Sequence, residues 1–278
     1  MKKILVPTDF SPNADKAFEY ALQIARKVAG EILLLHVCTL PLPEYAEQPE
    51  GMKDYNRQRV SELSARLNGY KDLVDGREWV SIRTMLVDGD TVDVIVEKAI
   101  QHDADMIVMG TRGAGFLKGI LFGTNTAAVM AASKVPVMVV PDAYEGAVPS
   151  RMLLAVDRDE STVLLNPLFR LRELFGAELK TLVFSETGEP ADELMEHAMT
   201  INRVTEHWSR TFGIAGLRSE HLLGDDFCDT VNAHLEANDV NMLAMVTHRN
   251  RGLQSAFGRS LTQKMSFYTK VPLLSLHA

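Results

Sequence analysis

Apolar positions along the chain alternate between short unbroken runs and longer stretches that repeat at the period of a helix face. Ile4-Leu5-Val6 is such a run, closed by Pro7-Thr8-Asp9, and Ser11 followed by Pro12 supplies an N-cap with proline at the first helical position. From there Ala14, Ala17, Phe18, Ala21, Leu22, Ile24, Ala25 and Val28 fall at helical spacing, and Gly30 stops the helix. Glu31 to Val37 is nearly all apolar, as expected of a parallel strand covered on both faces. Residues 39–52, with Pro41, Pro43, Pro49 and Gly51, read as a long loop, suited to a lid or a partner surface. The pattern next predicts a helix over 53–69 that buries a stripe of Val60, Leu63 and Leu67, then a strand from Trp79 to Val87. A helix carrying Val92, Ile95, Val96, Ala99 and Ile100 follows, then a strand at 105–109, a helix at 124–133 and a strand from Val135 to Val140.

Five strands alternating with helices predict an α/β fold with a doubly wound parallel sheet, since parallel neighbours need right-handed helical crossovers. Ligands of such sheets sit beyond the strand C-termini, where the strand order reverses. That rule gathers Pro7, Thr8, Asp9, Val37 and the loop from 110 to 124 at one mouth.

Residues 141–150 hold two prolines and a glycine and no apolar period, which marks a boundary. Beyond it Met152 to Asp157 repeats the pattern of Ile4 to Asp9, and Leu179 to Phe184 stands for a second strand. At a constant offset of 136, Asp226 matches Asp90, Asp229 matches Asp93, Thr247 matches Thr111, Thr262 matches Thr126, and Lys270-Val271-Pro272 matches Lys134-Val135-Pro136. The chain is therefore read as two tandem five-stranded domains, 1–143 and 150–278. The final strands, Val135 to Val140 and Val271 to Leu276, would each expose an apolar edge, so they are expected to pair within the chain as a pseudo-dimer.

The stretch most suggestive of chemistry is Gly110-Thr111-Arg112-Gly113 through Gly123-Thr124, set between an apolar run and an alanine-rich segment. Strand, glycine-rich loop and helix N-terminus together make a phosphate cradle, because unpaired backbone N–H groups and the helix dipole favour an anion. Gly110, Gly113 and Gly123 would let backbone approach a ligand without a Cβ in the way, while Thr124 and Thr126 offer hydroxyls at the helix start. Arg112 is placed to pair with phosphate, and Asp9 faces the cradle. In the second half the three glycines become Val246, Arg249 and Arg259, so the first half is expected to hold the ligand alone.

A formal charge of −8 and a pI near 5.5 argue against a sequence-independent nucleic-acid binder, which needs a basic surface. Two cysteines, Cys38 and Cys228, are too few for a disulfide framework. The N-terminus lacks a signal-peptide core and no apolar run approaches the ~18 residues of a membrane span, so a cytoplasmic protein is expected. His36 is read as a core histidine and His221 and His248 as surface residues, with no metal-binding spacing among them. No Ser/His/Asp arrangement, nucleophile elbow or Walker motif occurs.

The opening Ile4-Leu-Val-Pro-Thr-Asp9-Phe-Ser, His36-Val37 at the end of the second strand, the Gly-x2-Gly-x9-Gly-Thr motif at 110, 113, 123 and 124, and Val135-Pro-Val-Met-Val-Val resemble the universal stress protein family in tandem form. The resemblance implies a Rossmann-like fold of the adenine nucleotide alpha hydrolase-like kind, and the branch that binds ATP. By it Thr8, Asp9 and Val37 would contact adenine and ribose, and Met109, Gly110, Gly113, Gly123, Thr124 and Asn125 would line the ribose and phosphate path. Asn125 departs from the pattern, where a small apolar residue is frequent. The expected function is stress-response regulation through binding of ATP, ADP or AMP, with or without Mg²⁺, and through contacts with an unidentified protein. The chain would act as a pseudo-dimer or as a homodimer of it, away from nucleic acid and membrane. The alternative is a slow ATPase or nucleotidyl-transfer enzyme using Asp9 or Asp88.

Overall fold

The computed structural model describes residues 1–41, 49–74, 79–111, 124–248 and 259–278. Its first half runs β1 (Lys3–Pro7), α1 (Pro12–Val28), β2 (Glu31–Cys38), α2 (Pro49–Gly69), β3 (Ser81–Asp88), α3 (Thr91–Gln101), β4 (Met106–Gly110), α4 (Thr124–Ala132) and β5 (Val137–Val140). The second repeats that order as β6 (Arg151–Ala155), α5 (Thr162–Phe175), β7 (Glu178–Glu186), α6 (Ala191–Thr211), β8 (Arg218–Gly224), α7 (Phe227–Ala237), β9 (Met242–Thr247), α8 (Arg259–Tyr268) and β10 (Leu273–His277). Among the described residues no helix is long and apolar enough to cross a membrane.

Local chemistry repeats with the sequence. Asp90 caps α3 by accepting from the N–H groups of Val92 and Asp93, and Asp226 caps α7 by accepting from those of Cys228 and Asp229. Each satisfies two of the donors that a helix start leaves unpaired. Ser133 accepts from the Val135 N–H and donates to its carbonyl, and Thr269 does both to Val271. Asp103 and Asp239 both take left-handed backbone, φ 51° and 49°. All these pairs are 136 residues apart, so the duplication reaches down to single hydrogen bonds.

The strands form one ten-stranded sheet in the order β3-β2-β1-β4-β5-β10-β9-β6-β7-β8. Each half is parallel and doubly wound, and the halves meet where β5 and β10 pair antiparallel. Leu273 faces Val139, Leu274 faces Met138 and Ser275 faces Val137. Met138 and Leu274 are 136 residues apart, so each is opposite its own counterpart, as an isologous two-fold contact requires. The intrachain pseudo-dimer expected from the exposed apolar edges is thus the architecture found.

Side-chain alternation along the strands builds a core on each face, and both cores cross the seam. Ile4, Val6, Met138, Leu154 and Leu274 face α1, α2, α5 and α6, whereas Leu5, Ile107, Val139, Leu153 and Leu273 face α3, α4, α7 and α8. Segment 141–150 is anchored to α1: Tyr144 is buried against Tyr20, with centroids 5.3 Å apart, and Gln23 donates to the Gly146 carbonyl. Tyr20 also reaches Met242 Sδ in the second half at 3.7 Å.

Helix α2 begins at Pro49, so the last four residues of the expected 39–52 loop are helical, and the expectation for 42–48 lies outside the described residues. Leu63 and Leu67 are buried as the stripe predicts, but Val60 is 37% exposed, because only the last turns of α2 lie over the sheet. In α3 the buried face is Val94, Ile95 and Ala99, leaving Ile100 exposed. Trp79 precedes β3 and is 87% exposed.

Candidate functional site

In the first half the strand order 3-2-1-4-5 reverses between β1 and β4, and the C-terminal ends of these strands lead to the starts of α1 and α4, the place where such sheets take their ligands. Thr8 is buried, its N–H donates to the Leu35 carbonyl, and its hydroxyl accepts from the Phe10 N–H. Asp9 Oδ1 accepts from the Ser11 N–H at 3.0 Å, which closes the turn into α1. Between them Phe10 takes left-handed backbone, φ 62°, a conformation that costs a non-glycine residue about 1–2 kcal/mol. Its ring offsets that strain by packing against His36, 4.5 Å between centroids, and under the Arg66 guanidinium, 4.0 Å above it.

His36 closes the rim: its Nδ1–H donates to the Thr8 carbonyl at 2.7 Å. Burial pulls this ring below the ordinary histidine range, against the Thr8 carbonyl and the Asp9 charge, which both favour the proton. The reading of His36 as a satisfied histidine therefore holds, at the strand ends and not deep in the core. Asp88 Oδ1 accepts from the Leu40 N–H at 2.8 Å and so fixes the chain leaving β2.

Of the predicted site residues, the structure brings Pro7, Thr8, Asp9, Val37, Met109, Gly110, Asn125 and Thr126 to this end of the sheet, with the backbone of Thr124 starting α4. Arg112, Gly113 and Gly123 lie outside the described residues. Gly110 has a packing role, since a Cβ there would stand 2.6 Å from Asn13 Oδ1 and 2.8 Å from the Asn13 carbonyl oxygen. Asn13, buried, donates to the Val140 carbonyl and accepts from the Thr111 hydroxyl, so it ties α1 to β4 and β5. Thr126 donates to the Gly110 carbonyl at 2.7 Å, which fastens the first turn of α4 to the end of β4. Sequence reasoning missed Asn13, Phe10 and Arg66; the Asp-Phe-Ser-Pro-Asn order carried no signal for a contact formed only when β4 arrives.

The corresponding end of the second half is built differently. Val246, in place of Gly110, is buried, and the hydroxyl of Thr262, the counterpart of Thr126, is buried with no hydrogen-bond partner among the described residues. Asp157, Glu160 and His248 converge so that one ligating atom of each lies within 4.8 Å of the others. His248 Nε2–H donates to Glu160 Oε1 at 2.7 Å, and Arg158 grips both oxygens of Asp157 at 3.0 and 3.1 Å. His248 is thus not the surface residue expected, because the turn before α5 folds over the end of β9. His221 is exposed, as expected, with Nε2 3.1 Å from the Ser185 hydroxyl. Arg249 lies outside the described residues, as does the side chain of Arg259.

Comparison with known proteins agrees with this architecture. A sequence model described as the universal stress protein family matches residues 1–141. The chain is 33% identical over 141 residues to universal stress protein MJ0531 of Methanocaldococcus jannaschii, covering 50% of this chain and 81% of that one. It is 29% identical to a universal stress protein of Thermus aquaticus, over 50% of this chain and 98% of that one. The crystal structure of a universal stress protein from Archaeoglobus fulgidus matches 99% of this chain and 96% of its own, with a TM-score of 0.63 at 23% identity, so the whole two-half fold recurs there.

Proposed function

The chain belongs to the universal stress protein family, and from that premise we propose that residues 1–143 form a domain binding one adenine nucleotide, ATP first among them, at the end of β1 and β4. Residues 150–278 form a companion domain that has given up the nucleotide. The observation that carries the reading is the reversal of strand order between β1 and β4, with Thr8, Asp9, Val37 and Gly110 at the strand ends beside it and the start of α4 following. The backbone N–H groups at that helix start, with the glycine-rich sequence before it, suit the phosphates. Were Mg²⁺ to accompany the nucleotide, Asp9 is a carboxylate of this chain that would help hold it, and the ion would offset phosphate charge. Binding, not turnover, is the function proposed, exercised through nucleotide-dependent contacts with other proteins.

Calorimetric titration of the whole chain with ATP tests it. One equivalent should bind, and Gly113→Val should abolish binding by placing a Cβ and two methyls in the phosphate path. Two equal sites, or unchanged affinity in the folded variant, would overturn the reading.

A further inference from the structure

We propose that the second half carries a site for a divalent transition-metal ion of the zinc class, formed by Asp157, Glu160 and His248 at the end of β6 and β9. This site is independent of any nucleotide in the first half. Asp157 follows β6 as Asp9 follows β1, and His248 follows β9 at the place where Arg112 follows β4. The sheet end that suits an anion in one half therefore presents two carboxylates and an imidazole in the other.

Burial distinguishes this group from an ordinary acidic surface. The side chains of Asp157 and Glu160 are 7% and 5% exposed, and that of His248 is 16% exposed. Two carboxylates withdrawn from water so close together repel each other and require compensating positive charge. Arg158 supplies one such charge from the rim, with its side chain 43% exposed, and His248 pairs with Glu160.

The donor set and spacing fit that ion. One imidazole nitrogen and two carboxylate oxygens are ligands of zinc, and three protein ligands leave a fourth position open for water or another molecule. With metal–ligand bonds of ~2.1 Å, tetrahedral ligand atoms stand ~3.4 Å apart. The present spread, from 2.7 Å between His248 and Glu160 to the 4.8 Å limit, brackets that distance, so rotamer adjustments of less than ~1.5 Å suffice by the same geometry. Arg158 must release one oxygen of Asp157, whose charge the ion then shares, and the Nε2 proton of His248 leaves to solvent as the ion takes its place. The acidic residues are held from behind: Trp208 Nε1–H donates to the Glu160 carbonyl at 3.2 Å and His197 Nε2–H to the Asp157 carbonyl at 3.0 Å. Such support fixes ligands before the ion arrives.

The experiment uses the full chain, stripped with a chelator and titrated with Co²⁺ by visible absorption and with Zn²⁺ by calorimetry. We expect a Co²⁺ ligand-field band saturating at one equivalent, displaced by Zn²⁺ and not by millimolar Mg²⁺. Glu160→Gln, isosteric and unable to carry the charge, should abolish the band, and His248→Gln should weaken binding at least tenfold. His234→Gln, which alters a histidine paired with Glu220 elsewhere in the same half, should leave it unchanged. Absence of a one-equivalent band in the unaltered chain would overturn the proposal. So would a band that persists in both folded variants, which would assign the metal to other histidines.

Discussion

Gln263 Nε2–H donates to the carbonyl of Ala127 at 2.9 Å, across a separation of 136 residues, so the contact joins two equivalent positions of the halves. Equivalent positions of a two-fold pair meet only where the axis passes. Met138 and Leu274 mark the same axis within the sheet, and Gln263 and Ala127 mark it between α8 and α4. Alanine has no amide to return, so the bond is made once. Fusion of the two halves allows that asymmetry, because the positions on the axis need not carry the same residue.

The seam should behave as core. Leu274 is fully buried at its centre, so Leu274→Arg should destabilise by about 3 kcal/mol or more, the charge having no partner there. Leu274→Met, of similar volume, should cost under about 1.5 kcal/mol. Equilibrium unfolding in urea, followed by circular dichroism, measures both.

Residues 1–143 expressed alone should associate with themselves. All four residues of β5 are buried in the whole chain, and removing β10 leaves their edge without a partner. Sedimentation velocity at high micromolar concentration should show a dimer, and a strictly monomeric soluble fragment would contradict the self-matching of this edge.

Two glycines of the motif should respond differently. Gly110→Ala should lower stability by about 1–3 kcal/mol, because the new Cβ meets the main-chain oxygen of Asn13 at 2.8 Å and helix α1 must shift. Gly113→Val should lose ATP while changing stability by less than about 1 kcal/mol. Thermal unfolding beside calorimetric titration separates packing from ligand binding.

Acid should reach Asp226 late. The Lys264 ammonium, hydrogen-bonded at 2.7 Å, and the Asp229 N–H hold its carboxyl below the ordinary range. A folded-state value depressed below the unfolded one contributes stability that is complete above about pH 4 and lost as pH falls through the folded value. Asp226→Asn keeps an acceptor for the cap but cannot titrate, so its stability should fall less steeply below about pH 4 than that of the unaltered chain. Asp226→Ala removes the cap and should cost about 1 kcal/mol at neutral pH.

The repeat, the five strands alternating with helices and the pairing of the halves were legible in the sequence, because those rest on apolar period and on matched residues such as Asp90 with Asp226. The sequence was less informative about which helix residues face inward. Val60 and Ile100 fit a helical stripe, yet both lie exposed, since the sheet covers only part of each helix. The site was legible where chemistry is local, as in the turn of Thr8 and Asp9. It was hidden where distant segments meet: Asn13 against Gly110, and Glu160 against His248, are 97 and 88 residues apart, and no short motif announces either.

The antiparallel meeting of β5 and β10 has a consequence for how the two halves age. Strands of the second half run opposite to those of the first, so the C-terminal strand ends of the two halves lie at opposite margins of the sheet. The inherited obligation of this duplicated gene product is confined to its midline, where Met138 must still suit Leu274. Its two poles carry no such requirement: the first has Gly110, Gly113 and Gly123 where the second has Val246, Arg249 and Arg259.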